Sequence, residues 1–129
     1  MIVADTDVLI DFLADQEPGA SRVAQELARG RLATTVITRF ELLSGARSAK
    51  QEKTLRAFLD TLTALPLTET AADSAAAVRR VLERRGQDIG MADSLIAGIV
   101  LTEAGALLTR NVGHFNRVPD LTLARLEGD

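Results

Sequence analysis

Four oxygen-bearing side chains fall where a strand or the start of a helix is expected. Asp5 ends the apolar run IVAD, Glu41 lies in TRFELL, Asp93 in GMADSL, and Asn111 follows ALLTR. Carboxylates gathered in one place repel one another and burial raises their pKa values, so three of them together usually imply a bound cation. An all-oxygen set suits a hard ion such as Mg²⁺ or Mn²⁺. Metal-activated water attacking a phosphodiester is the reaction that such a site serves best.

The elements that must position these side chains alternate between strand and helix. Short strands are predicted at residues 2–5, 32–37, 64–67, 106–109 and 121–126. Helices are predicted at residues 7–15, 18–29, from 38 onward, 50–62, from 70 to about 85, and 91–104. This alternation is typical of an α/β fold with a mainly parallel sheet and helices on both faces. In such a sheet the carboxyl ends of the strands share one edge, where ligands bind, and all four polar positions are expected there.

Some of these acids also have ordinary structural explanations. Asp7 is predicted mainly to cap the first helix, where its charge meets the helix dipole. The stretch from Thr38 to Glu41 spells a T-x-x-E capping box, so Glu41 taken alone is equally well explained as a cap. Asp93 taken alone could be an ordinary first-turn acid. Asp5 at the end of an apolar strand is costly without a role, so metal ligation is the favoured hypothesis there.

Composition indicates an ordinary globular chain and excludes several kinds of chemistry. The 129 residues are 47% hydrophobic and 26% charged, which fits one compact domain. The net charge of −3 provides no general basic field, so any contact with nucleic acid must be local. The lack of cysteine excludes disulfides and thiol catalysis. Without a basic leader or an apolar run of about 20 residues, we expect a soluble cytoplasmic protein with no membrane association.

Basic side chains are the other candidates for contact with a phosphate. Arg39 and Arg110 flank two of the site positions and are the better candidates. A second set on one predicted helix is most simply a solvated face: Arg79, Arg80, Arg84 and Arg85. The lone His114, beside Phe115, is interpreted as a structural or surface residue and not as a catalytic base.

Four stretches, in order and spacing, resemble a known family. VADTDVLID, TRFELLSG, DIGMADSLIAG and LLTRNVGHF are similar to the successive blocks of PIN-domain ribonucleases, and more closely of the VapC toxins of bacterial toxin-antitoxin pairs. The resemblance spans nearly the whole chain. It implies a three-layer α/β/α domain over residues 1–129, with Mg²⁺- or Mn²⁺-dependent endonuclease activity on RNA. It also implies a homodimer, inhibited by a small antitoxin whose tail occupies the active-site groove.

The resemblance assigns roles to individual residues. It places the metal-binding core on Asp5, Glu41 and Asp93, with Asn111 completing the catalytic set. The family often supplies a fourth acid from the last block, where this chain has Asn111 and His114. An Asn carbonyl can still ligate a hard ion or position a water, but the site has one negative charge fewer, which weakens the case for a second metal.

Two other functions compete with the nuclease. DTDV also resembles the D-x-D motif of haloacid-dehalogenase phosphatases, in which Asp5 would be the nucleophile; that chemistry needs a lysine, and Lys50 and Lys53 lie on a predicted helix away from any strand end. The missing fourth acid is also compatible with a non-catalytic module that binds RNA or protein. Three retained acids argue against the module, because crowded carboxylates are costly without a role.

Overall fold

A five-stranded parallel sheet lies at the centre of the structure, a computed structural model that describes residues 1–127. The strands are β1 (Ile2–Ala4), β2 (Leu32–Thr35), β3 (Thr63–Leu65), β4 (Ala106–Leu108) and β5 (Thr122–Leu123). Their order is β3-β2-β1-β4-β5, and all four pairings are parallel. The prediction of a mainly parallel sheet is confirmed.

Helices cover both faces of this sheet. They are α1 (Thr6–Leu13), α2 (Gly19–Ala28), α3 (Val36–Ser44), α4 (Ala49–Leu59), α5 (Glu69–Arg84), α6 (Met91–Glu103) and α7 (Val112–Phe115). Adjacent strand residues alternate between the two faces: Val3 and Leu107 pack in a core with α5 and α6, whereas Ala4 and Leu108 pack in a second core with α1 and α2. The expected three-layer α/β/α arrangement is confirmed. Within residues 1–127, no helix combines the length and the apolar character needed to cross a membrane.

The first helix begins one residue earlier than predicted, and Asp5 caps it. Asp5 Oδ1 accepts a hydrogen bond from the Thr6 amide at 2.8 Å. Because β1 ends at Ala4, Asp5 is the last extended residue before the helix, which is where an N-cap belongs. The prediction that Asp7 mainly caps this helix was wrong, and Asp7 lies in its first turn.

The helix that carries Glu41 also begins earlier than its sequence suggests. Val36 and Ile37 are helical although β-branched residues favour strands, so packing overrides local propensity here. Thr35 is the N-cap, and its Oγ1 accepts a hydrogen bond from the Thr38 amide at 3.1 Å. The capping-box prediction was therefore wrong, and the Glu41 carboxylate is left for another partner.

The third strand lies at an edge of the sheet. β3 pairs with one neighbour and ends just before Pro66. The next helix was predicted to begin at residue 70 and begins at Glu69, where Thr68 caps it: Thr68 Oγ1 accepts a hydrogen bond from the Ala71 amide at 3.1 Å. Val78 and Leu82 of this helix lie in the core.

Candidate active site

Asp5 lies at the carboxyl end of β1 with 6% of its surface exposed. Its Oδ2 accepts a hydrogen bond from Thr109 Oγ1 at 2.7 Å, while Oδ1 is held by the Thr6 amide. Burial raises the pKa of Asp5 to about 7; the negative charges of Asp7 and Asp93 add to this rise, and the Thr109 hydrogen bond opposes it. Asp5 is thus a buried carboxyl at the centre of a crowded acidic group.

Asp7 points into the same group from the first turn of α1. Its Oδ2 accepts hydrogen bonds from the Arg110 amide at 3.0 Å and from Thr109 Oγ1 at 3.3 Å. Its Oδ1 is buried and has no hydrogen-bond partner within residues 1–127. Burial also raises the pKa of Asp7, against the effect of the Arg110 amide. An unpartnered buried carboxylate oxygen costs free energy, which a bound cation would recover.

Glu41 reaches the group from the second turn of α3. Thr6 Oγ1 lies 2.6 Å from Glu41 Oε1, to which it donates, and 3.1 Å from Thr38 Oγ1. Thr6 is also the residue whose amide holds Asp5. The capping residue of α1 and the acid of α3 are therefore connected through one threonine.

Asp93 lies in the first turn of α6, opposite the short helix α7. Its Oδ2 is 3.4 Å from Asn111 Nδ2, which donates to it, and 3.1 Å from His114 Nδ1. Phe115, fully buried, anchors α7 to the core. The predicted residues Asp93 and Asn111 are thus in direct contact, and His114, which was predicted to be a structural or surface residue, contacts the site.

The structure places the four predicted residues at the carboxyl edge of the sheet, but connects them through residues that the sequence did not single out. Thr109 bridges Asp5 and Asp7, and Thr6 bridges Asp5 and Glu41. Each threonine comes directly after a site position or a strand in the sequence, and that is the one signal that could have identified it.

The side chains as placed do not form a finished metal cage. Within the part of the chain that the structure describes, no three His, Cys, Asp or Glu side chains are arranged so as to hold an ion. Their oxygens instead accept hydrogen bonds from hydroxyl and amide groups. The donor set nevertheless fits a hard cation, because it consists of carboxylate oxygens and leaves Asp7 Oδ1 buried without a partner. Burial, with a smaller effect of Asp7 and Asp93, raises the pKa of Asp5, and a bound cation would oppose that rise.

The basic residues near the site differ in their surroundings. Arg110 lies beside the acidic group and pairs with Asp11, whereas Arg39 pairs with Asp60 at 3.1 Å. Arg110 is therefore the stronger candidate for contact with a phosphate. A phosphatase would need a lysine at the site, but both lysines of the chain, Lys50 and Lys53, are exposed on α4.

Comparisons with known proteins agree with this arrangement. Residues 2–121 match the PIN domain family. Ribonuclease VapC10 of Mycobacterium tuberculosis is 33% identical over 115 residues, which cover 89% of this chain and 86% of the relative. Ribonuclease VapC19 of the same organism is 31% identical over 122 residues, covering 94% and 97%. The crystal structure of VapBC2 from Rickettsia felis, bound to a promoter DNA fragment, matches with a TM-score of 0.80 at 25% identity and covers 96% of this chain and 98% of that one.

These findings decide between the two enzymes suggested by the first motif. The D-x-D stretch is part of a PIN domain, so the haloacid-dehalogenase alternative was wrong. The match over residues 2–121, together with the two relatives above 30% identity, shows that the chain belongs to the PIN domain family, among the VapC ribonucleases.

Proposed function

We propose that the protein is an endoribonuclease that hydrolyses RNA phosphodiester bonds with Mg²⁺ or Mn²⁺, and that it is the toxin of a type II toxin-antitoxin pair. The observation that carries the proposal is Asp5, a carboxyl that is 6% exposed and placed beside two further acids at the carboxyl edge of the sheet. Capping α1 does not by itself require a charge here, because an uncharged Ser or Asn caps a helix as well as Asp does. Burying this acid beside two others is therefore costly without a further role. Its VapC relatives are named as ribonucleases.

Asp5, Glu41 and Asp93 would hold the ion. When bound, it would polarise a phosphoryl oxygen and lower the pKa of a water molecule. The chain's own contribution is to orient the acids: Thr109 holds Asp5, and Thr6 holds Glu41. Asn111 fixes Asp93 from the other side of the group. Fixing these carboxylates before substrate arrives lowers the cost of reaching the reactive geometry.

A groove beside Glu41 supports the antitoxin as a partner. It encloses about 430 Å³ between α1, α3 and α4. Ile10 and Leu13 line it although they are 49% and 42% exposed, and Leu42 and Leu55 complete its apolar wall. An apolar groove of this kind fits the apolar face of an amphipathic helix. We therefore place the antitoxin's helical segment here, with its following residues reaching the acids.

The homodimer is a further part of the proposal. Phe40 and Met91 are the most exposed large hydrophobic side chains within residues 1–127, at 68% and 65%. Exposed side chains of this size are typical of surfaces that a partner covers. Light scattering after size exclusion measures the mass directly, and a monomer at all micromolar concentrations would contradict this part.

The activity is tested by incubating purified protein, free of antitoxin, with bulk transfer RNA and ribosomal RNA. Parallel reactions contain Mg²⁺, Mn²⁺ or EDTA. Asp5→Asn keeps the shape of the side chain and removes its charge, and Asp73→Asn makes the same change at an exposed position on α5. We expect discrete, metal-dependent cleavage by the wild type and Asp73→Asn, and none by Asp5→Asn. A folded wild type that cleaves neither RNA with either metal would favour the non-catalytic binding module.

A further inference from the structure

Arg110 follows β4 and is fixed at two points beside the acidic group. Its backbone amide donates to Asp7 Oδ2 at 3.0 Å, and its Nε lies 2.8 Å from Asp11 Oδ2. The Asp11 side chain is 10% exposed, whereas the Arg110 side chain is 49% exposed. The inner part of the arginine is therefore held by a buried carboxylate while much of the side chain remains in contact with solvent.

The carboxylate that holds Arg110 is itself tightly positioned. Asp11 lies on the buried side of α1, against the first residue of α2. A Cβ at Gly19 would lie 2.5 Å from Asp11 Oδ2, so the missing side chain of that glycine makes the room that the carboxylate occupies. Asp11 can move little, and it therefore fixes the direction in which Arg110 leaves the backbone.

The remaining nitrogens of Arg110 suit a phosphate. Within residues 1–127, Nη1 and Nη2 of this side chain make no hydrogen bond, and the ion-pair contact with Asp11 is made by Nε. A guanidinium binds phosphate through two parallel N–H donors, which an ammonium cannot reproduce. The chain carries a net charge of −3 and the site is acidic, so RNA needs a local cation to approach.

We propose that Arg110 binds an RNA phosphate next to the reacting one, and that Asp11 is the positioning residue that orients its guanidinium. This inference rests on the proposed ribonuclease function and names a substrate contact within it. The competing explanation is that the pair only ties α1 to the segment after β4.

The first test is binding of fluorescein-labelled bulk transfer RNA in EDTA, followed by anisotropy across a series of salt concentrations. Arg110→Gln should weaken binding about 10-fold and reduce the slope of log affinity against log salt by about 1. Arg110→Lys should keep the slope and recover part of the affinity. Arg80→Gln is the control, because it removes an equal charge from an exposed position on α5. It should change the affinity for RNA by less than about twofold.

Asp11→Asn separates positioning from simple charge. Removing any acid makes the protein less negative. If charge alone matters, Asp11→Asn and the exposed control Asp15→Asn should both bind RNA at least as tightly as the wild type does. Positioning predicts that Asp11→Asn binds several-fold more weakly than Asp15→Asn. It also predicts no further loss when Asp11→Asn is added to Arg110→Gln, because the effect acts through the arginine. Urea unfolding of each variant shows whether the folded state is retained.

The possible results distinguish a wrong phosphate contact at Arg110 from a wrong ribonuclease function. If the wild type binds and cleaves RNA but Arg110→Gln matches Arg80→Gln in affinity and salt slope, the phosphate contact is wrong and the ribonuclease stands. If Arg110→Gln weakens binding but Asp11→Asn matches Asp15→Asn, the positioning role of Asp11 is wrong. If the folded wild type neither binds nor cleaves RNA, both the function and the contact are wrong.

Discussion

Thr109 Oγ1 donates a hydrogen bond to Asp5 Oδ2 at 2.7 Å, joining residues that are 104 positions apart in the chain. The backbone supports this contact, since the Asp5 amide donates to the Leu108 carbonyl at 2.9 Å. The buried acid of β1 is thus held by the residue that follows β4, its neighbour in the sheet. The pairing of two strands sets the geometry of the site.

Thr109→Val should impair the site without unfolding the protein. Valine keeps the shape of threonine but cannot donate to Asp5, and loss of a group that orients a metal ligand typically costs 10- to 100-fold in metal affinity or activity. We expect a decrease of about that size in Mn²⁺ affinity, measured by calorimetry. Thr102→Val removes a hydroxyl that bonds to the Gly98 carbonyl on α6, and it should leave Mn²⁺ affinity unchanged. Equal affinities for the two variants would contradict the role of Thr109.

Asp5→Asn should stabilise the metal-free protein in a pH-dependent way. Burial raises the pKa of Asp5 from 3.8 to about 7, so between these pH values the folded state holds a proton that the unfolded state releases. Stability therefore falls as pH rises through this window, and the full penalty is present above it. Asn carries no such penalty. The free energy of unfolding of Asp5→Asn should therefore exceed that of the wild type by about 2–4 kcal/mol at pH 8, and the difference should be near zero below pH 4.

Urea unfolding in EDTA at both pH values measures this difference. Asp73→Asn, at an exposed position, serves as the comparison. An advantage of Asp5→Asn that is equal at low and high pH would mean that charge burial is not its cause.

The fold was largely predictable because strands and helices carry different hydrophobic periods, and their alternation fixes a parallel sheet. The residues at which the helices begin were not predictable. Val36 and Ile37 favour a strand locally, yet they begin α3, since the chain turns where Thr35 can cap it. Asp5 and Asp7 are both good caps by type, and the end of β1 decides between them. Such choices depend on tertiary position, which a local sequence pattern does not contain.

Gly98→Ala should destabilise the core between α5 and α6. A Cβ at this position would lie 2.5 Å from the Ala71 carbonyl oxygen and 2.7 Å from Ala75 Cβ, so two packed helices would have to separate. Overpacking of this kind typically costs 1–3 kcal/mol, occasionally more, and we expect about 3 kcal/mol in urea unfolding. Gly113→Ala is the control, because a Cβ there meets nothing within 4 Å. Similar stabilities for both variants would show that the helices adapt.

Glu26→Gln should lower the free energy of unfolding, because it breaks a buried cluster of charged side chains. The Glu26 side chain is fully buried and is bound by Arg22 at 2.6 Å and by Arg31 at 2.9 Å. Burial alone would raise the pKa of Glu26, but the hydrogen bonds from Arg31 and Arg22 lower it to about 2. Removing this charge leaves the buried Arg22 unpaired, a change that typically costs 3–5 kcal/mol.

Two controls accompany this variant. Glu83→Gln disrupts an exposed pair with Arg79 at 3.9 Å and should cost less than about 1 kcal/mol. The wild type should also lose stability relative to Glu26→Gln as pH falls from 4.5 towards 2, because the folded carboxylate then takes up a proton. A cost at neutral pH no larger than that of Glu83→Gln would contradict the cluster's role.

The site was predictable in part, and for a topological reason. Asp5, Glu41, Asp93 and Asn111 were expected at one edge because parallel strands end there, and the structure places them so. The contacts that orient them depend on side-chain directions across long sequence separations, such as the 21 residues between Asp93 and His114. The helix that carries His114, α7, has only four residues, so it is too short to show a hydrophobic period and was not predicted.

We propose that this acidic group holds the divalent ion that RNA cleavage requires. Its most direct test is the initial rate of cleavage of one RNA as a function of free Mn²⁺, with Mn²⁺ binding measured on the same protein. We predict that rate and occupancy rise together, that EDTA abolishes cleavage, and that Asp5→Asn loses both. Cleavage that persists in EDTA, or Mn²⁺ occupancy and cleavage that both survive Asp5→Asn, would contradict this role of the acidic group.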